Sequence, residues 1–111
     1  MAPTKAPAKV PPKAPATVTR ALHKIGEDLA TWRRLRRLTV AEVADRAGVG
    51  ASTVTRLENG GGANLANLLR VARALGVLDM LSVAVDPYST DIGRVRADEA
   101  LPERVRHRRS T

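Results

Sequence analysis

The stretch Leu38–Gly60 reads LTVAEVADRAGVGASTVTRLENG, and its local signals decide the fold. Thr39 is followed three residues later by Glu42. That is the capping-box pattern, in which a hydroxyl and a carboxylate satisfy free N–H groups on both sides of a helix start. A helix therefore starts there and runs to about Ala47. Gly48 can take the positive φ that a C-terminal turn requires, and Val49 supplies that turn's apolar anchor. The next helix begins within three residues. At 100° per residue, its Thr53, Val54, Leu57 and Glu58 share one side, and Ala51, Ser52, Thr55, Arg56 and Asn59 share the other. The second set is expected to face outward, and almost nothing in it is large.

Upstream, Ile25, Leu29 and Trp32 fall at i, i+4 and i+7, a helical face. Arg33, Arg34, Arg36 and Arg37 crowd the end of that first helix, where cations suit its dipole, so it ends near Arg37. Downstream, Asn64 is placed to cap a fourth helix carrying Leu65, Leu68, Leu69, Ala72 and Leu75, which Gly76 ends. Val77, Leu78, Leu81, Val83 and Val85 then fit a further helix or a short terminal strand. Two short helices joined by a tight glycine turn, within a small basic all-helical domain, are the organisation of a helix-turn-helix.

Composition bounds the rest. The chain of 111 residues is one domain plus tails, and a domain of that size buries only about 60% of its unfolded surface. It has no cysteine, which excludes disulfides and thiolate metal sites and makes a reducing, cytoplasmic and nucleoid-associated setting the expectation. No apolar run approaches a membrane span, and the Ala/Pro/Lys-rich N-terminus lacks a signal peptide's apolar core. The net charge of +8 favours a polyanion, nucleic acid ahead of an acidic membrane surface. Residues 1–21 hold Lys5, Lys9, Lys13 and Arg20, no acid, and five of the seven prolines. They read as a disordered basic arm. Residues 22–85 read as the domain, and residues 86–111 as a charged, Arg-rich tail with a short helix around Ile92–Ala100.

Trp32 reads as core rather than as a membrane anchor. The run Gly60-Gly61-Gly62 lacks the preceding strand and following Lys-Ser/Thr of a phosphate cradle, so it reads as a loop. His23 and His107 lie far apart with no acidic cluster, so neither a metal site, a cofactor nor catalysis is expected.

On these residues the chain resembles the Cro/CI-type (XRE) helix-turn-helix regulators. Leu38-Thr39, Ala44, Gly48-Val49, Val54, Leu57, Glu58 and Gly60 fall where that family has those residue types, and the resemblance covers about residues 22–80. It implies an all-α, five-helix lambda-repressor-like fold that binds double-stranded DNA as a homodimer, with the third helix in the major groove. It also implies an ion pair between Arg33 and Glu58. Under that resemblance Ala51, Ser52, Thr55 and Arg56 read bases: Arg56 by a bidentate pair to guanine, the hydroxyls by hydrogen bonds, Ala51 or the Thr methyl against a thymine methyl. Thr39, the helix start at Val40, Asn59, Gly60 and Asn64 lie where the family contacts phosphates. Two positions depart from the family pattern: Val40 replaces a glutamine that helps hold a phosphate, and Gly50 replaces a serine helix cap.

Three functions follow. The first is a sequence-specific repressor on a palindromic operator. The second is an antitoxin that binds DNA with the same helix and holds a toxin through its C-terminal segment, which is similar to the tails of small XRE regulators, including relatives of HipB-type antitoxins. The third is an architectural protein with little sequence preference. A dimer surface is expected around Leu78–Val85, where apolar residues exceed what a small core can bury.

Overall fold

Among the described residues, four helix ends close with the same turn, and those turns set the path of the backbone. The computed structural model describes residues 14–100. Within them the helices are α1 (Ala16–Leu35), α2 (Val40–Ala47), α3 (Ala51–Glu58), α4 (Leu65–Leu75), α5 (Leu78–Ala84) and α6 (Asp91–Ala100), with a 3-10 turn at Pro87–Ser89. Most of the expected basic arm, and the terminal Arg104, Arg106, His107, Arg108 and Arg109, lie outside the described residues.

At the end of α2, Gly48 and Val49 donate back to the carbonyls of Asp45 and Ala44. Gly60 and Gly61 do the same to Leu57 and Arg56, and Gly76 and Val77 to Arg73 and Ala72. This paired pattern is the Schellman closure, which places one residue in the left-handed region. Gly48, Gly60 and Gly76 take that place with φ of 72°, 83° and 81°. At the end of α1 the same bonds run from Arg37 to Arg34 and from Leu38 to Arg33. There the left-handed residue is Arg37, at φ 59°. A residue with a β-carbon in that conformation costs roughly 1–2 kcal/mol.

The compact unit that ends at Leu78 packs α2 against α3 and α4, and α1 against α3 and α4. Its core is Leu29 and Ala30 of α1, Val43, Ala44 and Ala47 of α2, Val54 and Leu57 of α3, Val71, Ala72 and Leu75 of α4, and Val77. Four of these eleven residues are alanine, so the stability of the core rests on helices that approach closely. One such close approach is at Gly26. A β-carbon there would run into the Leu57 carbonyl and stand 2.8 Å from that of Glu58. Both are backbone atoms of α3, and neither can swing aside.

Several expectations differ in detail from the structure. The first helix begins at Ala16 rather than Leu22, so the end of the expected arm is helical. Ile25 is 42% exposed; the face turned to the core is Leu22, Gly26, Leu29, Ala30 and Arg33, one position on. Leu65 is also exposed, and Val71 takes the buried place. Trp32 is half-buried, with the Arg36 guanidinium 5.3 Å from its ring centre. Leu78–Ala84 is a helix, the first of the two forms its pattern allowed.

Beyond Leu78, α5 has no buried residue, and Met80 and Val83 stand 54% and 55% exposed. The 3-10 turn packs with α6 and is held by Asp86, whose carboxylate accepts from the Tyr88 N–H at 2.9 Å. Arg94 reaches back to the Tyr88 carbonyl at 2.9 Å and also pairs with Asp91.

Two substitutions at α1 should act with opposite sign. Gly26→Ala should lose about 3 kcal/mol or more through the clash with α3. Arg37→Gly should gain about 0.5–1 kcal/mol by relieving the left-handed residue, less the entropy a glycine adds to the unfolded chain. Urea melts of both variants check this, and equal, small effects would contradict it.

Candidate nucleic-acid interface

Helix α3 is eight residues long, too short to be helical by itself in water. It is held from behind. Val54 is fully buried and Leu57 nearly so. At its C-terminal end Glu58 receives Arg33 from α1: Nε donates to Oε2 at 2.7 Å and Nη2 to Oε1 at 3.1 Å. The two side chains are only 17% and 13% exposed. Arg33 also donates through Nη1 to the Leu38 carbonyl at 3.1 Å, in the turn that leads to α2. One guanidinium thus joins α1, the α1–α2 turn and α3. The hydrogen bond to Glu58 holds the Arg33 pKa above its ordinary value, against the opposing effect of burial.

With that side occupied, the opposite face is open. Ala51, Ser52, Thr55, Arg56 and Asn59 are all exposed, and Thr53 is intermediate. The face therefore presents a methyl group, two hydroxyls, a guanidinium and an amide, which between them donate, accept and make apolar contact. Arg56 is the only cation on α3. Gly50 precedes the helix in extended conformation and offers no side-chain cap. Its carbonyl accepts from Thr53 at 3.0 Å, while the Ala51 and Ser52 N–H groups point out at the helix start.

Two neighbouring helix starts flank this face in sequence. At α2, Thr39 N–H donates to Glu42 Oε1 at 2.8 Å and Glu42 N–H donates to Thr39 Oγ1 at 3.0 Å, the full capping box. Thr39 keeps only its hydroxyl proton to offer a phosphate. Val40 is half-buried, so at that position only the backbone N–H is available. At α4, Asn64 Oδ1 accepts from Asn67 N–H at 2.7 Å, which leaves the Asn64 amide NH2 free to donate outward.

Other contacts at the site gave no local signal in the sequence. Arg36 Nε donates to the Leu75 carbonyl at 3.0 Å and so closes the end of α4. His23 lies against Gly60, where a β-carbon would stand 2.7 Å from its Cε1. Arg56 lies against Gly61. Among the described residues, no group of three or more His, Cys, Asp or Glu is placed to hold a metal, and no helix is long and apolar enough to cross a membrane.

This is the geometry of two helices crossing through a glycine turn, the second presenting its face, and the helix-turn-helix family model matches residues 29–79. Residues 29–79 are an XRE-type helix-turn-helix domain. Such domains are DNA-binding regulators, not catalysts. Comparison with curated proteins and with solved structures gives no significant match. The helix-turn-helix domain takes in α2, α3, α4 and the last third of α1, including both partners of the Arg33–Glu58 pair.

The capping box gives this domain an acid-sensitive element. Glu42 is held below the ordinary carboxylate range, first by the Thr39 backbone N–H, then by the Thr39 side chain, with Arg46 adding to it. A carboxylate whose pKa is depressed on folding stabilises above its unfolded value and loses that contribution as pH falls through the folded one. The stability gap between wild type and Glu42→Gln should therefore be constant down to about pH 5 and shrink below it. Thermal melts of the two proteins across pH measure that gap, and a gap that widened in acid would contradict the assignment.

Proposed function

We propose that this chain is a sequence-specific transcriptional regulator that binds a two-fold-symmetric operator as a homodimer and represses by occupying it. The observation that carries this is the exposed face of α3, small at Ala51, Ser52 and Thr55. A recognition helix must bring its backbone near the base edges, and small residues at its start permit that approach. In this reading Arg56 pairs with a guanine, Ser52 and Thr55 donate or accept, and Ala51 meets a thymine methyl. The Thr39 hydroxyl, the Val40 N–H, Asn59, Gly60 and Asn64 hold the phosphates that set the register.

A single helix of this length reads only a few base pairs, so an operator needs two half-sites about one helical turn apart. The exposed apolar side of α5, with Met80 and Val83, supports a dimer built there. Ile92 and Val95 on α6, 69% and 57% exposed, support a second reading in which the C-terminal segment holds a protein partner, as the antitoxin hypothesis requires.

The test is fluorescence anisotropy at near-physiological salt on DNA from immediately upstream of the gene, with a shuffled duplex as reference. Binding to the native duplex should be tighter by about a thousandfold or more. Equal, steeply salt-dependent binding to this and to other genomic duplexes would favour the architectural alternative. Arg56→Ala should cost about 1–3 kcal/mol and relax preference at one position. A uniform loss on all sequences would instead place Arg56 on a phosphate.

A further inference from the structure

Three glycines follow α3, at Gly60, Gly61 and Gly62, and they are not equivalent. Gly60 and Gly62 have positive φ, 83° and 86°, a conformation that itself explains a glycine. Gly61 does not lie in that region. Its φ is not positive, so φ gives no reason for glycine there. The reason lies in space. Its N–H donates to the Arg56 carbonyl at 2.8 Å, which brings its α-carbon over the last turn of α3. A β-carbon at this position would stand 2.6 Å from Arg56 Cγ, 3.2 Å from the Arg56 carbonyl oxygen and 3.4 Å from Cδ. The first distance is well inside van der Waals contact, so the stem of Arg56 occupies the room that the missing side chain leaves.

We propose that Gly61 is a positioning residue for Arg56. It holds the arginine stem in one rotamer across the α3–α4 turn and thereby fixes where the guanidinium reaches. An exposed arginine has several rotamers of similar energy and loses side-chain entropy when fixed. A stem already seated against a backbone arrives at DNA with part of that freedom removed. A β-carbon at residue 61 pushes the stem to another rotamer and misdirects the guanidinium, while the backbone of the turn need give only a few tenths of an ångström at the Arg56 carbonyl. The proposal rests on the reading that Arg56 contacts DNA.

The experiment is a double-mutant cycle on the full-length protein: wild type, Gly61→Ala, Arg56→Ala and both together. The probe is a fluorescein-labelled duplex selected by wild type from a random-sequence pool, with variants of it changed one base pair at a time. Gly61→Ala should weaken binding by about tenfold in wild type and by less than about twofold in the Arg56→Ala background, a coupling typical of residues in contact. The same base pair should lose its preference in Gly61→Ala and in Arg56→Ala. An equal loss in both backgrounds, or no loss in either, overturns the positioning role and leaves Arg56 in place. If Arg56→Ala binds as wild type does, the reading of Arg56 itself fails and takes this role with it. Thermal melts separate a folding effect. Destabilisation by Gly61→Ala that persists without the Arg56 side chain makes Gly61 a structural residue and also overturns the proposal, whereas destabilisation relieved by Arg56→Ala supports the contact.

Discussion

The ion pair between Arg33 and Glu58 is the constraint on which the working face of this domain depends. Helix α3 is too short to hold its own conformation, and its start lacks a side-chain cap. Its position is therefore tertiary in origin. Val54 and Leu57 fix its depth, but apolar contact is non-directional and leaves rotation about the helix axis weakly determined. The bidentate pair at 2.7 and 3.1 Å supplies the missing direction, because a planar guanidinium and a carboxylate meet in one plane. A half-buried pair of this kind gives little net stability against an apolar replacement, but losing one partner strands a charge and costs several kcal/mol. Its value here is orientation.

The same logic explains the small side chains on both sides of α3. Behind it, Gly26 lets the α1 backbone come against the carbonyls of Leu57 and Glu58. In front, Ala51, Ser52 and Thr55 leave the helix surface low. A helix pinned closely from the rear needs no bulk on its outer face for stability. That face is then free to be composed for contact alone. Two arginines three residues apart at the end of α1 complete the mounting: Arg33 grips the end of α3 and Arg36, just past the helix, the end of α4. The cluster at the end of α1 suits the helix dipole, and in the folded chain two of its members also have individual partners.

How much of this was legible from sequence depended on the range of the interaction. The limits of α2, α3 and α4 were readable because their determinants are local: Thr39 with Glu42, Gly48, Asn64 and Gly76 each act within a few residues. The outward set on α3 was readable because a helix of known phase needs only arithmetic. The start of α1 was not, since residues 16–21 carry no cap and follow a proline-rich stretch, so the change in composition at Leu22 looked like a boundary. Periodicity sets the phase of α1 one position early, at Ile25 instead of Gly26. Hydrophobic periodicity gives no weight to glycine, and here the absent side chain marks the contact. Arg37 in a left-handed turn, Gly61 beneath Arg56 and His23 against Gly60 depend on what the fold brings together across a turn. No local rule signals them.

A division of labour follows from where the charges lie. The chain carries +8 overall, yet α3 contributes one cation on its outer face and pairs its only carboxylate inward. Attraction to a polyanion scales with the phosphates neutralised and carries no sequence information. Apart from Arg56, every lysine and arginine lies outside α3, on the other elements, in the α1–α2 turn and in the chain ends. Under the proposed function, sequence discrimination would come from the hydroxyls, methyl groups and single guanidinium of α3, whose pairings depend on the base presented. Because the core and the Arg33–Glu58 pair hold α3 without using that face, Ser52, Thr55 and Arg56 can be exchanged with little effect on folding, and the specificity of such a domain can change while its stability stays almost constant.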